Sequence, residues 1–410
     1  MKERIGKYYN VISGYAFKSS DLKDSADIPI IKIGNISNGR NVIFENMQYV
    51  DLEFLTIDEK YHIKYGDVLI SLTGSHINQP NSMVGRVCRN YDKQTYLLNQ
   101  RAGKIFAKEN ASTDYIFYAL LTKAMKESIV SRAYGAANQV NVSPSAIMSI
   151  KWDFPSLPIQ QKIASILSSY DHLIENNTRR IRLLEQMAEN LYKEWFVRFR
   201  FPEHEKVEMV NGLPKGWEFK RVSNVCETIG GGTPSTTNSA YWGGDIKWVT
   251  PSDITSKKSL ALLKIAGRIT EEGLKKSSAK LLPPYTILMT SRASIGFFGI
   301  CPDNVCTNQG FISIIPNKDN VRMYLLYTFK ARKEEIISNA NGSTFLEISK
   351  GRFRKMKVLV PSEDILNMFE KKTMLSFREV LHLEMQNTLL TRQRDLLLPR
   401  LMSGKLEVKS

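Results

Sequence analysis

The sequence has few cysteines and lacks the usual signatures of a nucleotide, zinc or hydrolase active site. Its four cysteines, Cys88, Cys226, Cys301 and Cys306, do not have the paired spacing of a zinc site, so we expect reduced and mostly buried thiols. There is no GxxxxGK(S/T), HExxH or GxSxG motif, and the five histidines do not cluster with cysteines or carboxylates. We therefore predict neither catalytic residues nor a metal site in this chain.

Two further absences concern membranes and methyl transfer. No apolar run is long enough to cross a bilayer, and the N-terminal MKERIGKYYN has no apolar signal core, so we expect a cytoplasmic protein. The Asn/Asp-Pro-Pro-aromatic tetrapeptide, with which an amino-methyltransferase grips its target amine, is also absent. A self-contained methyltransferase is disfavoured, since it would have to bind S-adenosylmethionine by itself.

The charge of the chain favours a polyanionic partner. Its 410 residues are enough for two or three domains, and the formal net charge is +16. A surplus of this size is typical of proteins that bind nucleic acid. The alternative is a generally basic protein from a basic proteome.

The longest uninterrupted helical pattern runs from Pro158 to Phe196, with no glycine and no proline after the first residue. Its apolar residues recur at alternating steps of three and four, which predicts one long face against a partner helix. Asn177 takes a position in this seam, where a polar residue fixes register. A helix of this length is about 55–60 Å long, which suits a spacer. The predicted seam is Ile159, Ile163, Ile166, Tyr170, Leu173, Ile181, Leu184, Ala188, Leu191 and Trp195.

The chain repeats one plan on either side of this helix. Residues 1–155 predict strands at Ile28–Ile33, Asp67–Leu72 and Ala102–Phe106, a helix at Tyr115–Lys126 and a polar loop at Ala133–Pro144. Residues from about 215 to 361 match these segments with Ile246–Val249, Thr286–Ser291, Met323–Lys330 and Ala340–Ser349, and Asn308-Gln309 in CTNQGFISIIP matches Asn99-Gln100 in LLNQRAGKIF. A second long helix, Asp364 to about Leu401, has Ile365, Phe369, Leu375, Leu383, Leu390, Leu397 and Leu401 near one face. Duplication on this scale predicts a pseudo-two-fold molecule whose two long helices pack antiparallel.

Polar loops at the strand ends are the candidate binding residues. Asn and Gln read adenine edges, Arg and Lys read guanine or bind phosphates, and Ser and Thr bind either. We expect Arg292 and Asn138-Gln139 to reach base edges. The alternative for each loop is an ordinary solvated loop, and Asn99-Gln100 and Asn308-Gln309 are either base contacts or structural amide pairs. The first repeat contributes Lys32, Asn35, Arg40, Thr73, His76, Asn78, Arg86, Tyr134, Asn138, Gln139 and Asn141. The second contributes Thr233, Ser235, Thr236, Tyr241, Trp242, Lys247, Ser252, Thr290, Arg292, Ser294, Asn341, Ser343, Lys350 and Arg352.

Several stretches resemble the specificity (S) subunits of type I restriction–modification systems. They are Phe154-Pro155-x-Leu157-Pro158-Ile159-x-Gln161-Lys162-Ile163-Ala164, Leu173–Asn177, Leu191-Tyr192-Lys193-x-Trp195-Phe196, Asn211-Gly212-x-Pro214-x-Gly216-Trp217, Gly230-Gly231-x-Thr233-Pro234-Ser235 and Leu398-x-Arg400-Leu401-Met402-Ser403-Gly404. The resemblance covers essentially the whole chain. The first repeat departs at Ser13–Lys18 (SGYAFK), where the second has GGGTPS.

This resemblance implies an α+β fold with two mixed α/β target-recognition domains, each built on a twisted sheet, separated by two long antiparallel helices. The implied bounds are 1–155, 156–199, 200–361 and 362–410 for domain, helix, domain and helix. It implies a non-catalytic subunit that binds a bipartite, asymmetric site in double-stranded DNA. Two modification subunits would dock on it with restriction subunits, and those partners would carry S-adenosylmethionine, ATP and Mg. A related type IIB-like subunit and a scaffold that does not bind DNA remain open alternatives.

Overall fold

The computed structural model describes residues 2–39, 41–75, 83–136, 139–256, 259–342 and 346–408. The chain divides into two compact units: unit 1 runs to His172 and resumes at Leu390, and unit 2 is Leu173–Leu389. Both divisions fall inside long helices. The domain bounds expected from the sequence, at 155, 199 and 361, stay predictions.

Unit 1 is a mixed α/β unit with four small sheets, ordered β1-β13, β2-β10-β6-β8, β4-β3-β9-β5 and β11-β12-β7. Its strands are Lys2–Arg4 (β1), Tyr9–Ser13 (β2), Ile28–Ile31 (β3), Gln48–Val50 (β4), His62–Ile63 (β5), Val68–Ser71 (β6), Thr73–Gly74 (β7), Val87–Arg89 (β8), Tyr96–Leu98 (β9), Ala102–Ala107 (β10), Tyr134–Ala136 (β11), Gln139–Asn141 (β12) and Lys151–Asp153 (β13). Its helices are Ile5–Tyr8 (α1), Thr113–Leu121 (α2), Lys123–Val130 (α3) and Pro144–Met148 (α4), followed by the long helix Leu157–Tyr192 (α5).

Unit 2 is built on the same plan, with sheets ordered β14-β15, β16-β24, β17-β23-β20-β21 and β19-β18-β22. Its strands are Met209–Val210 (β14), Leu213–Pro214 (β15), Glu218–Arg221 (β16), Cys226–Gly230 (β17), Trp242–Val249 (β18), Arg268–Ile269 (β19), Ile287–Thr290 (β20), Phe298–Ile300 (β21), Val305–Thr307 (β22), Phe311–Pro316 (β23) and Lys357–Val360 (β24). Its helices are Pro251–Thr255 (α6), Glu271–Lys275 (α7), Arg322–Ala331 (α8), Lys333–Ser338 (α9) and Lys350–Lys355 (α10), followed by the long helix Glu363–Met402 (α11).

The main sheets of the two units match, whereas the described β11-β12-β7 sheet of unit 1 and the described β14-β15 pair of unit 2 are not shared. β10 pairs antiparallel with β2 and β6, and β23 pairs antiparallel with β17 and β20. β3 runs parallel to β9 and antiparallel to β4, and β18 runs parallel to β22 and antiparallel to β19. The bridge between Leu282 and Val305 occupies the place of the β5–β9 pairing. The predicted duplication is therefore confirmed in the order, direction and pairing of the strands.

The long helices run antiparallel within each unit. In unit 2 Asn177 donates to Gln386 at 3.2 Å and Arg180 pairs with Glu379 at 2.7 Å. Residue numbers therefore increase along α5 in the direction in which they decrease along α11. In unit 1 Asp171 pairs with Arg394 at 2.5 Å, while Leu401 lies in the same core as the beginning of α5. The buried Asn177 occupies the seam as predicted.

In the first half of α5 the predicted seam is confirmed at Ile159, Ile163 and Ile166, which lie in or against the core of unit 1, and it is wrong at Leu173. The buried residues there are Gln160, Ile163, Ala164, Leu167 and Asp171, whereas Leu173 is half exposed. Gln160 is buried because it is hydrogen-bonded to Tyr9, Ser112 and Pro155, and Asp171 is buried because it is paired with Arg394 of α11. A pattern of apolar residues does not detect such polar positions. Leu375 of α11 is likewise exposed, while Thr373 and Phe377 are buried.

Three local predictions also need correction. The expected single helix at Tyr115–Lys126 breaks at Thr122, whose extended backbone ends α2 and whose Oγ1 accepts the Met125 N–H to begin α3. The expected loop at Ala133–Pro144 contains the paired strands β11 and β12. The α-helical hydrogen bonding of α5 stops at Tyr192, and a π-helical turn continues over Lys193–Val197.

Both cores are mainly aliphatic and include large buried aromatic side chains. Tyr9, Tyr115 and Phe117 are fully buried in unit 1, and Tyr327 and Phe369 in unit 2. Tyr192 and Phe196, which lie off the predicted seam, belong to the core of unit 2. All four cysteines are buried and free, as expected. Among the described residues, no helix combines the length and apolarity needed to cross a membrane, and no His/Cys/Asp/Glu group is arranged to hold a metal ion.

Candidate nucleic-acid interface

The candidate loops of unit 2 leave one end of its main sheet. β17 ends at Gly230, β20 ends at Thr290 and β23 begins at Phe311. The register pairs Gly230 with Ile312 and Thr290 with Phe311, so these three strand ends are neighbours. Polar segments that are distant in the sequence therefore meet at this end of the sheet.

Backbone hydrogen bonds fasten these segments to one another. The Ser291 N–H donates to the Gly310 carbonyl at 2.8 Å, and the Ile348 N–H donates to the Ser291 carbonyl at 3.0 Å. The Ala293 N–H donates to the Leu346 carbonyl at 3.0 Å. The loops after β20, before β23 and before α10 thus form a continuous surface.

Side chains on this surface offer several exposed donors. Arg292 is 54% exposed, and its Nε lies 3.9 Å from the Glu347 carboxylate. Arg352 donates to the Asn341 Oδ1 at 2.6 Å. Lys350, the first residue of α10, is exposed beside Gly230. The structure brings Arg292, Asn341, Lys350 and Arg352 together, as a nucleic-acid surface requires.

The other predicted residues of unit 2 fall into two groups. Thr233 donates to Gln309 at 2.5 Å, Ser235 bonds Thr237 at 2.7 Å, and Ser252 bonds Thr250 at 2.8 Å. Thr236 and Ser294 are exposed and Tyr241 is half-buried, so all six remain candidates.

Three residues are withdrawn. Thr290 is fully buried and its Oγ1 donates to the Ser294 carbonyl. Lys247 is ion-paired with Asp303, before the start of β22 and away from the loop end. Trp242 packs edge-on against Trp248 with ring centroids 5.0 Å apart, and its Nε1 donates to the Ser235 carbonyl.

Unit 1 presents the equivalent end of its sheet. β2 ends at Ser13, β6 ends at Ser71, and β10 begins at Ala102, which pairs with Ser71. Tyr134 is 62% exposed on the β11–β12 hairpin, and Gln139 is exposed opposite Ala136. Arg86 lies beside the end of β6, since its carbonyl accepts the Ser71 N–H.

Three predicted residues of unit 1, Asn35, Thr73 and Asn141, serve the fold. Asn35 is buried; its Oδ1 accepts the Lys32 N–H, and its Nδ2 donates to the Ile43 and Glu45 carbonyls. Thr73 is also buried and donates to the Asn141 Oδ1 at 2.8 Å, so this pair ties β7 to β12. Lys32 is half-buried and donates to Gln48 at 2.6 Å. The predicted residues Arg40, His76, Asn78, Asn138 and Ser343 lie outside the described residues.

The paired amides Asn99-Gln100 and Asn308-Gln309 divide into one structural and one exposed residue in both units. Asn99 accepts the Arg101 N–H at 3.4 Å, and Asn308 accepts the Gly310 N–H at 2.9 Å, so each asparagine folds its own turn. Gln100 and Gln309 are exposed at the tips of these turns. Gln100 and Gln309 could have been identified from the sequence because they occupy the same position in the two repeats. Treating each Asn-Gln pair as one unit hid the difference between its two residues.

One glycine in each unit explains the stretch that differs between the repeats. A Cβ on Gly14 would lie 2.3 Å from the Leu98 carbonyl oxygen, and a Cβ on Gly231 would lie 2.1 Å from the Asn308 carbonyl oxygen. SGYAFK and GGGTPS therefore share the glycine that lets the strand end pass the Asn-Gln turn. The residues after it are free to differ.

Comparison with known proteins places this fold in a family. The sequence model of the type I restriction modification DNA specificity domain matches residues 2–186 and 214–377. The chain belongs to this family. Its role is that of a DNA specificity subunit, which is non-catalytic, in a type I restriction–modification complex.

Two relatives of the specificity family illustrate the range of similarity. The HindI specificity subunit of Haemophilus influenzae is 25% identical over 94% of this chain and 96% of its own length. The MjaIX specificity subunit of Methanocaldococcus jannaschii is 37% identical over 42% of this chain, and the match spans 40% of that relative. The crystal structure of the S subunit from M. genitalium has the same fold, with a TM-score of 0.60 at 16% identity, over 98% of this chain and 95% of that one.

Proposed function

We propose that each unit of this specificity subunit reads one half of a bipartite site in double-stranded DNA. The observation that carries the proposal is the repeated strand-end surface. Both units gather hydroxyl and amide side chains at the same end of the same sheet, and unit 2 adds Arg292, Lys350 and Arg352. Because the surrounding loops differ in sequence, the two half-sites would differ, and the whole site would be asymmetric.

The long helices would set the unread spacer and dock two modification subunits. In unit 2, α5 exposes Leu183 and Met187, and α11 exposes Leu375, Met385 and Leu389. Apolar side chains of this kind on an exposed helix face are typical of protein-binding surfaces. The modification subunits would carry S-adenosylmethionine, and restriction subunits, with ATP and Mg, would complete the complex.

The deciding experiment is methylome sequencing of cells that express the chain with its modification subunit. We expect methylated adenines within one bipartite motif. Exchanging the 139–142 and 83–101 segments of unit 1 for those of a different specificity subunit should change only one half of that motif. A methylome without any bipartite motif would contradict the proposal.

A further inference from the structure

A lysine-rich segment of unit 2 lies beside the candidate surface but outside the residues that carry the proposed function. The segment begins at the last residue of α7 and reads Lys275-Lys276-Ser277-Ser278-Ala279-Lys280. All three lysines are exposed, and none has an ion-pair partner among the described residues. Glu271 and Glu272 begin the same helix one turn earlier.

This segment is fastened to the loop that carries Thr233–Trp242. The Thr270 N–H donates to the Tyr241 carbonyl at 3.0 Å, and the Thr270 Oγ1 donates to the Ala240 carbonyl at 2.9 Å. Gly273 packs so closely on Tyr241 that a Cβ would lie 2.5 Å from the Tyr241 carbonyl oxygen. Gly232 abuts Ser278 and Ala279 in the same way. The segment is thus held against the candidate loop.

The same place in unit 1 has the opposite charge. It lies between β4 and β5, as the lysine segment lies between β19 and the Leu282 bridge, and it carries Asp51, Glu53, Asp58 and Glu59 with a single lysine, Lys60. Three of those carboxylates are paired, in Lys23–Asp51 at 2.6 Å, Lys60–Asp58 at 2.8 Å and Lys64–Glu59 at 3.3 Å. The fold therefore does not require lysines here. In unit 2 the charges of the three lysines are not neutralised by an ion pair with any described residue.

The three lysines differ in whether they lie on the side of the segment that faces the candidate loop. Successive residues of a helix turn by about 100°. Lys276 directly follows α7, and its N–H still makes the helical bond to the Glu272 carbonyl at 2.8 Å, so it lies about 60° from Gly273, the residue that faces Tyr241. Lys275 lies about 160° from it, on the other side of α7. Lys280 directly follows the Ser278-Ala279 pair that abuts Gly232. Lys276 and Lys280 flank the candidate loop, and Lys275 does not.

We propose that Lys276 and Lys280 bind DNA phosphates next to the half-site read by unit 2, an inference that depends on the proposed function. Each such contact displaces counterions, so it raises affinity without sequence preference and makes affinity fall with salt. In unit 1 the paired carboxylates exclude this contact, which makes it specific to the unit 2 half of the site.

The test uses the full chain in complex with its modification subunits and a duplex that carries the methylated motif. Affinity is measured by fluorescence anisotropy between about 50 and 200 mM salt for wild type, Lys276→Ala, Lys280→Ala and the matched control Lys275→Ala. We expect the slope of log K against log salt to become less steep by about one for each of the first two variants. Lys275→Ala should keep the wild-type slope, and discrimination among motif variants should not change.

The outcomes separate the two proposals. If wild type discriminates the motif but both variants keep its slope, the phosphate contacts do not exist while the proposed function stands. A variant that changes base preference instead of slope also overturns the inference, because the lysine then reads a base. If the wild-type complex shows no motif preference, the proposed function fails and the inference fails with it.

Discussion

Asn308 and Gln309 show that adjacent side chains of one chemical type have different roles in this protein. The asparagine closes its own turn through the Gly310 N–H, whereas the glutamine is exposed and accepts from Thr233. Thr290 and Arg292 differ in the same way, since the first is fully buried and the second is mostly exposed. Single-residue roles at the strand ends are therefore decided by where the backbone turns.

For the same reason the sequence predicted where the loops of the candidate site lie better than it predicted which of their side chains are exposed. Polar composition located the strand ends correctly. It did not separate Asn35 and Thr73, which are consumed by hydrogen bonds inside the fold, from Arg292 and Gln139, which are exposed. That separation depends on tertiary hydrogen bonds between segments that are distant in the chain.

Arg292 is the residue of unit 2 that we expect to contact a base edge. Replacing Arg292 by Ala should cost about 1–3 kcal/mol in binding to the methylated motif and should relax preference at one position. The measurement is equilibrium binding to duplexes that differ at single positions of one half-site. Arg221→Ala, an exposed arginine of β16, is the control and should change neither quantity. Unchanged discrimination in Arg292→Ala would refute the base contact.

Gly231 is required by the close approach of the Thr307 and Asn308 carbonyls. Gly231→Ala should lower the free energy of unfolding by about 1–3 kcal/mol, because a Cβ there overlaps backbone that cannot rotate away. Gly351 of α10 is the control, since its Cβ would meet nothing within 4 Å. Gly351→Ala should stabilise by about 0.5–1 kcal/mol through helix propensity. Thermal unfolding of the two variants measures the contrast, and equal effects would contradict it.

At the scale of elements, the long helices were predicted almost to the residue, and their inward face was predicted in part. Continuous helix-forming sequence gave the lengths of α5 and α11 because few glycines or prolines interrupt them. The facing residues include Asp171 and Asn177, which are buried and bonded to Arg394 and Gln386. Asn177 was placed in the seam by its spacing from the apolar residues around it, whereas Asp171 was missed because a pattern of apolar residues does not detect a buried charge.

The buried Asp171–Arg394 pair holds the two long helices together in unit 1. Tyr118 also donates to Asp171 at 2.5 Å, so the carboxylate has partners on both oxygens. Arg394→Ala should destabilise the protein by about 3 kcal/mol, since removing one partner leaves a buried charge. Arg392→Ala, two residues earlier and exposed, should change stability by less than about 0.5 kcal/mol. Denaturant unfolding distinguishes these effects, and a small loss in Arg394→Ala would show that the pair is dispensable.

Glu370 of α11 makes the stability of unit 2 depend on pH. Burial raises the pKa of this carboxyl to about 7, against the Met323 N–H and Arg322, which favour its charged form. In the folded protein this pKa lies above the usual value near 4.5. The contribution of the protonated Glu370 carboxyl to the free energy of unfolding is therefore fully present below about pH 4.5 and is lost as the pH rises through 7.

Glu370→Gln removes this titration while it keeps an acceptor for the Met323 N–H. The free energy of unfolding of the variant, relative to that of wild type, should increase by up to about 3 kcal/mol when the pH is raised from 5 to 8. Native-state hydrogen exchange of the α8 amides at the two pH values measures the difference. A stability gap that does not change with pH would show that the carboxyl titrates normally.

At the scale of the whole molecule, the duplication was visible in the sequence because both copies keep the same order of strands, turn and helix. The stretches that differ, SGYAFK against GGGTPS and an acidic against a lysine-rich segment, occupy equivalent places in the two sheets. The equivalence of the first pair was visible in the sequence, whereas that of the acidic and the lysine-rich segments emerges only from strand pairing. Shared positions thus preserve the fold, and divergent positions are where two half-sites would be distinguished.

The length of the paired helices should set the spacer of the DNA site. Asn177 meets Gln386 and Arg180 meets Glu379, so four residues inserted after Arg179 and four after Leu383 extend both helices at one level. The insertion adds about 6 Å, or somewhat less than two base pairs at about 3.4 Å each. We expect methylome sequencing to show the same half-sites with a spacer longer by about one or two base pairs. Four residues inserted beside Gly212, in the exposed β14–β15 turn, are the control and should leave the spacer unchanged. An unchanged spacer after the paired helix insertion would mean that something other than helix length separates the two half-sites.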